Sequence, residues 1–380
     1  MSNPLQLVRM LIAVGLLSIF VFLPPRAISQ VDEPGMCLTW LPNAEIALSH
    51  DNRFAVKGWR ENEAHLWDIT TGRLVHRFVH TDTGGSRSIT GVAFANQDRW
   101  VATADRYGVN VWNVDTGALQ WHFQHDLDDD YTELAFFPDD RRLFVGGGLG
   151  AKIYDLQTGE LLIHFPGYME HRYGAWAQLS PDFGFILTSN WRLREAYLWD
   201  TTTFALLRTF QNIPGAQRNA AFLSEREIIL NEYLEDQNSL IVHNIETGEV
   251  LYALHFGEGF TKHWRVSADF QYIWVTRDIG QQFPIPVSEI WDVTNLEQLY
   301  TSQAGLASLF DLRWRNEDAL ALLFWNLLTA RSNESYWWIP VSYVAAAAVT
   351  DDRRYAVATE GTGEVSVWDL QQHEIIHRLC

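Results

Sequence analysis

One pattern limits what this chain can fold into more than any other: a fifteen-residue phrase that returns about every 45 residues. "AHLWDITTGRLVHRF" from Ala64 comes back as "VNVWNVDTGALQWHF" from Val109, "AKIYDLQTGELLIHF" from Ala151 and "AYLWDTTTFALLRTF" from Ala196. "LIVHNIETGEVLYAL" from Leu240, "SEIWDVTNLEQLYTS" from Ser288 and "VSVWDLQQHEIIHRL" from Val365 continue the series. Aligned, they place Trp67, Trp112, Tyr154, Trp199, His243, Trp291 and Trp368 in one column, with successive spacings of 45, 42, 45, 44 and 48 residues up to Trp291. Self-similarity at this period marks a row of repeated supersecondary units, each of which buries its apolar faces against its neighbours.

Upstream of each aromatic lies a second recurring unit, two apolar runs around a turn rich in Asp or Asn: "GVAFANQDRWVATA", "LAFFPDDRRLFVGG", "AQLSPDFGFILTS", "AAAVTDDRRYAVAT". Turn residues between short β-branched and aromatic runs predict hairpins. Each period therefore predicts four strands: a hairpin, the aromatic strand, and a last strand after a "TG" turn. Aromatic strands such as "LIVHNI" and "VSVWDL" are apolar on both faces, as sheets stacked face to face require. A helical period is sustained nowhere beyond the amino end.

This arrangement resembles the WD-repeat family of β-propellers. The resemblance rests on Trp67-Asp68, Trp199-Asp200, Trp291-Asp292 and Trp368-Asp369, with Trp112-Asn113 close to them, and spans Ala44 to Leu379. It implies an all-β propeller of four-stranded blades. "SLFDLRWRNEDALALLFWN" and "ESYWWIPV" read as a further hairpin and aromatic strand, with Trp338 in the column only 30 residues before Trp368. Eight blades are expected, one of them three-stranded, with seven as the alternative if the Trp337-Trp338 segment is an insertion. The Gly-His pair that the family carries before each first strand is absent. Its buried Ser/Thr–Asp–Trp network is expected in part, as Thr103, Asp105 and Trp112.

At the amino end Arg9 precedes an apolar run from Met10 to Leu23, followed by Pro24, Pro25 and the small residues around Ala27 to Ser29. That layout predicts a secretory signal peptide, and the run is short for a membrane span of about 20 residues. The expected organisation is a signal peptide over 1–29, a lead-in over 30–43 and one propeller domain over 44–380. The expected location is secreted, periplasmic or cell-surface, with an uncleaved anchor as the alternative. Net charge is -19, which disfavours nucleic acid, since no basic surplus exists to release counterions.

"HEIIH", His373 to His377, spells a zinc-protease pattern, but in the alignment His373 falls in the turn with Gly72, Gly117, Gly159 and Gly248. His377 falls inside the last strand with His76 and Trp121. Four residues of strand span roughly 13 Å, too far for two ligands on one zinc at about 2.0–2.1 Å. The pentapeptide is read as a chance match, and no metal or cofactor is expected. Only Cys37 and Cys380 exist. In the alignment Cys380 takes the place of Val79 and Cys37 that of Thr83, so ring closure would bring them within disulfide reach. The bridge is expected, two unrelated thiols being the alternative.

Local sequence offers no nucleophile elbow and no phosphate loop. Asp126, Asp128, Asp129 and Asp130 form a solvated acidic turn in preference to a calcium site, and Asn333 begins a glycosylation sequon. Loops between second and third strands carry Trp59, Arg60, Arg106, Tyr107, Trp191, Arg192, Tyr233, Phe283 and Trp325. In the family these loops share one rim, and exposed Trp, Tyr and Arg are enriched at binding hot spots. A monomeric, non-catalytic scaffold that binds a protein or peptide is therefore expected. Two alternatives stand beside it. "NVDTGALQW", Asn113 to Trp121, fits the motif of eight-bladed quinoprotein dehydrogenases, and the rim aromatics would also suit a carbohydrate.

Overall fold

The computed structural model describes residues 46–379 apart from 59–61, 82–87, 106, 125–132, 148–149, 167–174, 191–194, 212–219, 235–236, 257–259, 267–271, 280–284, 304–343, 351, 353, 361–364 and 373. All described residues fall in one compact unit, Cys37–Cys380. They form seven antiparallel four-stranded sheets and no helix. Within each sheet the strands pair in chain order, here designated a, b, c and d.

Sheet 1 holds β1 (Ile46–Leu48), β2 (Phe54–Gly58), β3 (Glu63–Asp68) and β4 (Arg73–Val79). Sheet 2 holds β5 (Gly91–Phe94), β6 (Trp100–Ala104), β7 (Gly108–Asn113) and β8 (Leu119–Gln124). Sheet 3 holds β9 (Glu133–Phe136), β10 (Arg142–Gly147), β11 (Gly150–Asp155) and β12 (Leu161–Pro166). Sheet 4 holds β13 (Ala175–Leu179), β14 (Phe185–Asn190), β15 (Glu195–Asp200) and β16 (Leu206–Gln211). Sheet 5 holds β17 (Ala220–Phe222), β18 (Glu227–Leu234), β19 (Gln237–Asn244) and β20 (Val250–His255). Sheet 6 holds β21 (Phe260–Val266), β22 (Tyr272–Ile279), β23 (Ile285–Asp292) and β24 (Glu297–Gln303). Sheet 7 holds β25 (Val344–Val349), β26 (Tyr355–Glu360), β27 (Val365–Asp369) and β28 (Glu374–Leu379). Trp338, expected in a further aromatic strand, lies outside the described residues, as does the whole of 304–343.

The expected aromatic strand is strand c of every sheet. Its two-residue alternation sends successive side chains to opposite neighbours. In β3, Leu66 packs with sheet 2 among Val92, Phe94, Val101 and Trp112. Trp67 packs the other way, with Val357, Val365, Val367 and Leu379 of sheet 7. Separate apolar clusters likewise join sheets 2 and 3, 3 and 4, 4 and 5, and 5 and 6. Each fully buried apolar side chain contributes roughly 1.5–3 kcal/mol, and both faces of a c strand collect it. Strand d covers one side only. Leu119, Leu161, Leu162, Leu206, Leu207, Val250 and Leu251 remain exposed along the outer strands.

A bulge marks the same place in all seven sheets. The c–d register shifts between Leu66 and Trp67, Val111 and Trp112, Ile153 and Tyr154, Leu198 and Trp199, Val242 and His243, Ile290 and Trp291, and Val367 and Trp368. Such a bulge bends the strand and steepens its twist.

The residue after each aromatic then caps the turn. Asp68 Oδ1 accepts from the backbone N–H of Thr70 and Thr71, and Asp200 Oδ1 from Thr202 and Thr203. Asp155, Asn244, Asp292 and Asp369 repeat the pair of bonds, and Asn113 accepts from Thr116. Four residues after the aspartate or asparagine the chain is left-handed: glycine at 72, 117, 159 and 248, but Phe204 (φ 61°) and Leu296 (φ 54°) in sheets 4 and 6.

Candidate functional site

The turns at the bulged end of the sheets are committed to holding neighbours together. Strand d of one sheet reaches the c–d turn of the next. His76 Nε2 donates to the Asp115 carbonyl oxygen at 3.2 Å, and Arg208 Nη2 to that of Glu246 at 2.9 Å. His377, the second histidine of the zinc-protease pattern, lies in β28 and donates from Nε2 to the Thr70 carbonyl oxygen at 3.1 Å. Sheet 7 thus meets sheet 1 through the joint that links sheets 1 and 2. Glycine is required beneath it, because a Cβ at Gly72 would stand 2.8 Å from His377 Nδ1, and one at Gly117 2.8 Å from His76 Nδ1.

The a–b turns carry a second clamp. Asp98 (φ 54°) accepts from the backbone N–H of His50 and Asp51, both at 2.8 Å. Asp140 (φ 51°) accepts from Asn96 and Gln97 at 2.8 and 3.0 Å. Trp121, the last residue of the quinoprotein-like stretch, sits edge-on to Trp100 and lies over Gly159. Asn113, its first, is a turn cap. Both ends of that motif have structural employment.

The opposite ends of the sheets carry the b–c loops. Trp59, Arg60, Arg106, Trp191, Arg192, Phe283 and Trp325 lie outside the described residues, as do Cys37, Cys380, Asn333 and the acidic turn 126–130. Tyr107 is half-buried beside its loop. Tyr233 departs from expectation. β18 and β19 run on through Leu234 and Gln237, pairing Tyr233 with Asn238, so it belongs to a strand and not to the loop. Eight-residue strands joined across positions 235–236 leave no room for a longer connection.

What fixes the loop of sheet 2 is a buried polar chain. Trp112 Nε1 donates to Thr103 Oγ1 at 2.8 Å, and Thr103 Oγ1 lies 2.7 Å from His80 Nε2. His80 Nδ1 faces Asp105 Oδ2 at 3.4 Å. That contact is not a hydrogen bond: Asp105 Oδ2 is buried and has no hydrogen-bond partner among the described residues. Asp105 Oδ1 in turn accepts from the backbone N–H of Tyr107 and Gly108 at 2.8 and 2.9 Å. Thr103, Asp105 and Trp112 are the three expected members. His80 is the member that sequence reasoning missed, and its backbone N–H also donates to Asn62 of sheet 1 at 2.8 Å. Its connection to the next first strand runs eleven residues to Gly91, so no Gly-His pair announces it.

Sheet 1 carries a second polar cluster at the same end. Lys57 and His65 are cross-strand partners, only 4% and 6% exposed, and His65 Nε2 bonds Glu63 Oε2 at 2.9 Å. Burial pushes the Lys57 ammonium down to about 7. Burial also lowers the His65 imidazole, with Arg77 and Lys57 adding to the effect and Glu63 opposing it. In sheet 6 a buried Arg277–Glu289 pair takes the place of such a cluster, and Glu289 Oε2 accepts from Trp291 Nε1 at 3.2 Å. Among the described residues no group of three or more His, Cys, Asp or Glu side chains could hold a metal ion. Compared with known proteins, the chain matches no family model and no curated protein.

Proposed function

We propose that the chain is a WD-repeat propeller, a closed ring of eight blades, that acts outside the cytoplasm as a non-catalytic scaffold and takes a protein or peptide on the rim of its b–c loops. One observation carries this reading: the division of labour between the two ends of each sheet. The a–b and c–d turns repeat the same caps and inter-sheet clamps. The b–c loops instead differ from sheet to sheet, and concentrate the Trp and Arg side chains that suit a recognition surface. In sheet 2 the chain from Trp112 to Asp105 anchors the root of such a loop. Residues 304–343, between sheets 6 and 7, are long enough to supply the eighth blade of this reading. The apolar run Met10–Leu23 accounts for export.

Affinity capture with the full mature chain as bait tests the rim. The wild type is expected to retain a defined partner that the Trp59→Ala/Trp191→Ala variant loses, with both chains folded by circular dichroism. Equal retention by the variant overturns the rim assignment. Ring closure through a Cys37–Cys380 disulfide, worth about 2–5 kcal/mol, belongs to the same reading. Under denaturing, non-reducing conditions no free thiol should titrate; two titrating thiols overturn the bridge.

A further inference from the structure

We propose that β4, the outer edge of sheet 1, takes an added strand from a partner protein: an extended segment that carries a carboxylate between two apolar side chains. β4 ends the order β1-β2-β3-β4, so among the described residues no strand pairs beyond it. An edge of this kind presents a row of backbone N–H and C=O groups to a further strand. Arg73, Leu74, Val75, Arg77 and Val79 are all exposed on β4, the three aliphatic residues by 37%, 37% and 41%.

Pairing with β3 sorts these side chains by face. Leu74 stands opposite Trp67, Arg77 opposite His65 and Val79 opposite Glu63. Trp67, His65 and Glu63 alternate along β3, so their three partners on β4 share one face as well. Val75 is the extra residue at the bulge. The other face is already employed, with Phe78 buried and His76 bonded to the Asp115 carbonyl oxygen. Along the open face the order is therefore apolar, basic, apolar.

Charge selects the occupant. Acids outnumber bases 47 to 28 in the chain, yet the outer strands of sheets 1 to 5 contain no Asp or Glu. Of these five strands only β4 and β16 carry arginine, and Arg208 of β16 is committed to the Glu246 carbonyl oxygen. Arg73 and Arg77 have no ion-pair partner among the described residues. Asp68, across from Arg73, is held by Arg53 at 3.0 Å, and Glu63 by His65 at 2.9 Å. A strand laid along β4 meets Arg77 at its centre, where an opposite charge is stabilised and a like charge repelled. Aliphatic residues on either side of that acid cover Leu74 and Val79. Main-chain bonds then supply affinity and the alternate side chains supply selectivity. A second copy of this chain fits less well. Its own β4 sets arginine against arginine, and β24 and β28, the outer strands that do carry an acid, hold it only at their first residue.

Fluorescence anisotropy tests the edge with the full chain and a labelled, end-capped heptapeptide, Thr-Val-Thr-Glu-Thr-Val-Thr. Saturable binding is expected at peptide concentrations up to about 1 mM. Arg77→Gln, folded by circular dichroism, should weaken it roughly tenfold through loss of one charge-assisted bond. Glutamine in place of the probe's glutamate should do the same to the wild type, and Arg77→Glu should regain affinity for a probe with lysine there. Hydrogen exchange should slow over 73–79 on adding the probe and stay unchanged over 206–211. Lack of saturation, equal affinity for the glutamine probe, or protection at 206–211 in place of 73–79 overturns the proposal. A dimer seen by light scattering without peptide, and broken by Val79→Lys, assigns the edge to a second copy and overturns it too.

Discussion

Aspartate or asparagine follows the column aromatic in all seven described sheets because the turn needs an acceptor there, not because it needs a charge. Asn113 and Asn244 do the same capping as Asp68 and Asp200. Burial pushes the Asp68 carboxyl up, but bonds from Thr70, Arg53 and the Thr71 backbone outweigh that and hold it at about 2. Its contribution is therefore complete above the ordinary value of 3.8 and is lost as pH falls toward 2. Asp68→Ala should cost about 2 kcal/mol in urea unfolding at neutral pH. Asp68→Asn should keep most of the capping, costing under about 1 kcal/mol, and should remove the acid-limb dependence that Asp68 supplies. Left-handed turn positions give the reverse case. Leu296 is 45% exposed at φ 54°, where a side chain strains the backbone and buries little. Leu296→Gly should raise stability by about 0.5–1 kcal/mol, read as a higher urea midpoint.

Strands and turns were legible wherever the repeat was regular. The column from Trp67 to Trp368 located every described c strand, and its "TG" turns located the left-handed glycines. The bulge before each aromatic was not legible, since a register shift changes pairing without changing residue type. His80 escaped because its partners lie in the next sheet and not in its own repeat, and the connection after it is long. Tyr233 was misplaced because periodicity sets the centre of a hairpin, not how far its strands extend. Lys57 and His65 were passed over as ordinary polar residues within "FAVKG" and "EAHLW", where only the stacking of sheet 1 on sheet 7 shows them buried. At this scale the His80 chain ties the b–c turns of sheets 1 and 2 together. His80→Ala should cost about 1–3 kcal/mol by taking from the buried Thr103 hydroxyl its histidine partner. Protease cleavage near residues 105–108 should then become faster, as mass spectrometry of limited digests would show.

Among the described residues one construction repeats: sheet against sheet, the c strands of sheets 1 to 5 lying between apolar clusters shared with both neighbours. The apolar clusters follow chain order from sheet 1 to sheet 6. The cluster of Ile46, Trp67, Val365 and Leu379 sets the last sheet beside the first. The His377–Thr70 bond there is the counterpart of His76–Asp115 between sheets the backbone runs through directly. Covalent continuity is thus not what makes a junction. A permuted gene that encodes Val344–Leu379 ahead of Ile46, with a short Gly/Ser linker, should yield a chain that still unfolds cooperatively with native tryptophan emission. The polypeptide's starting point would then be a historical choice rather than a mechanical one.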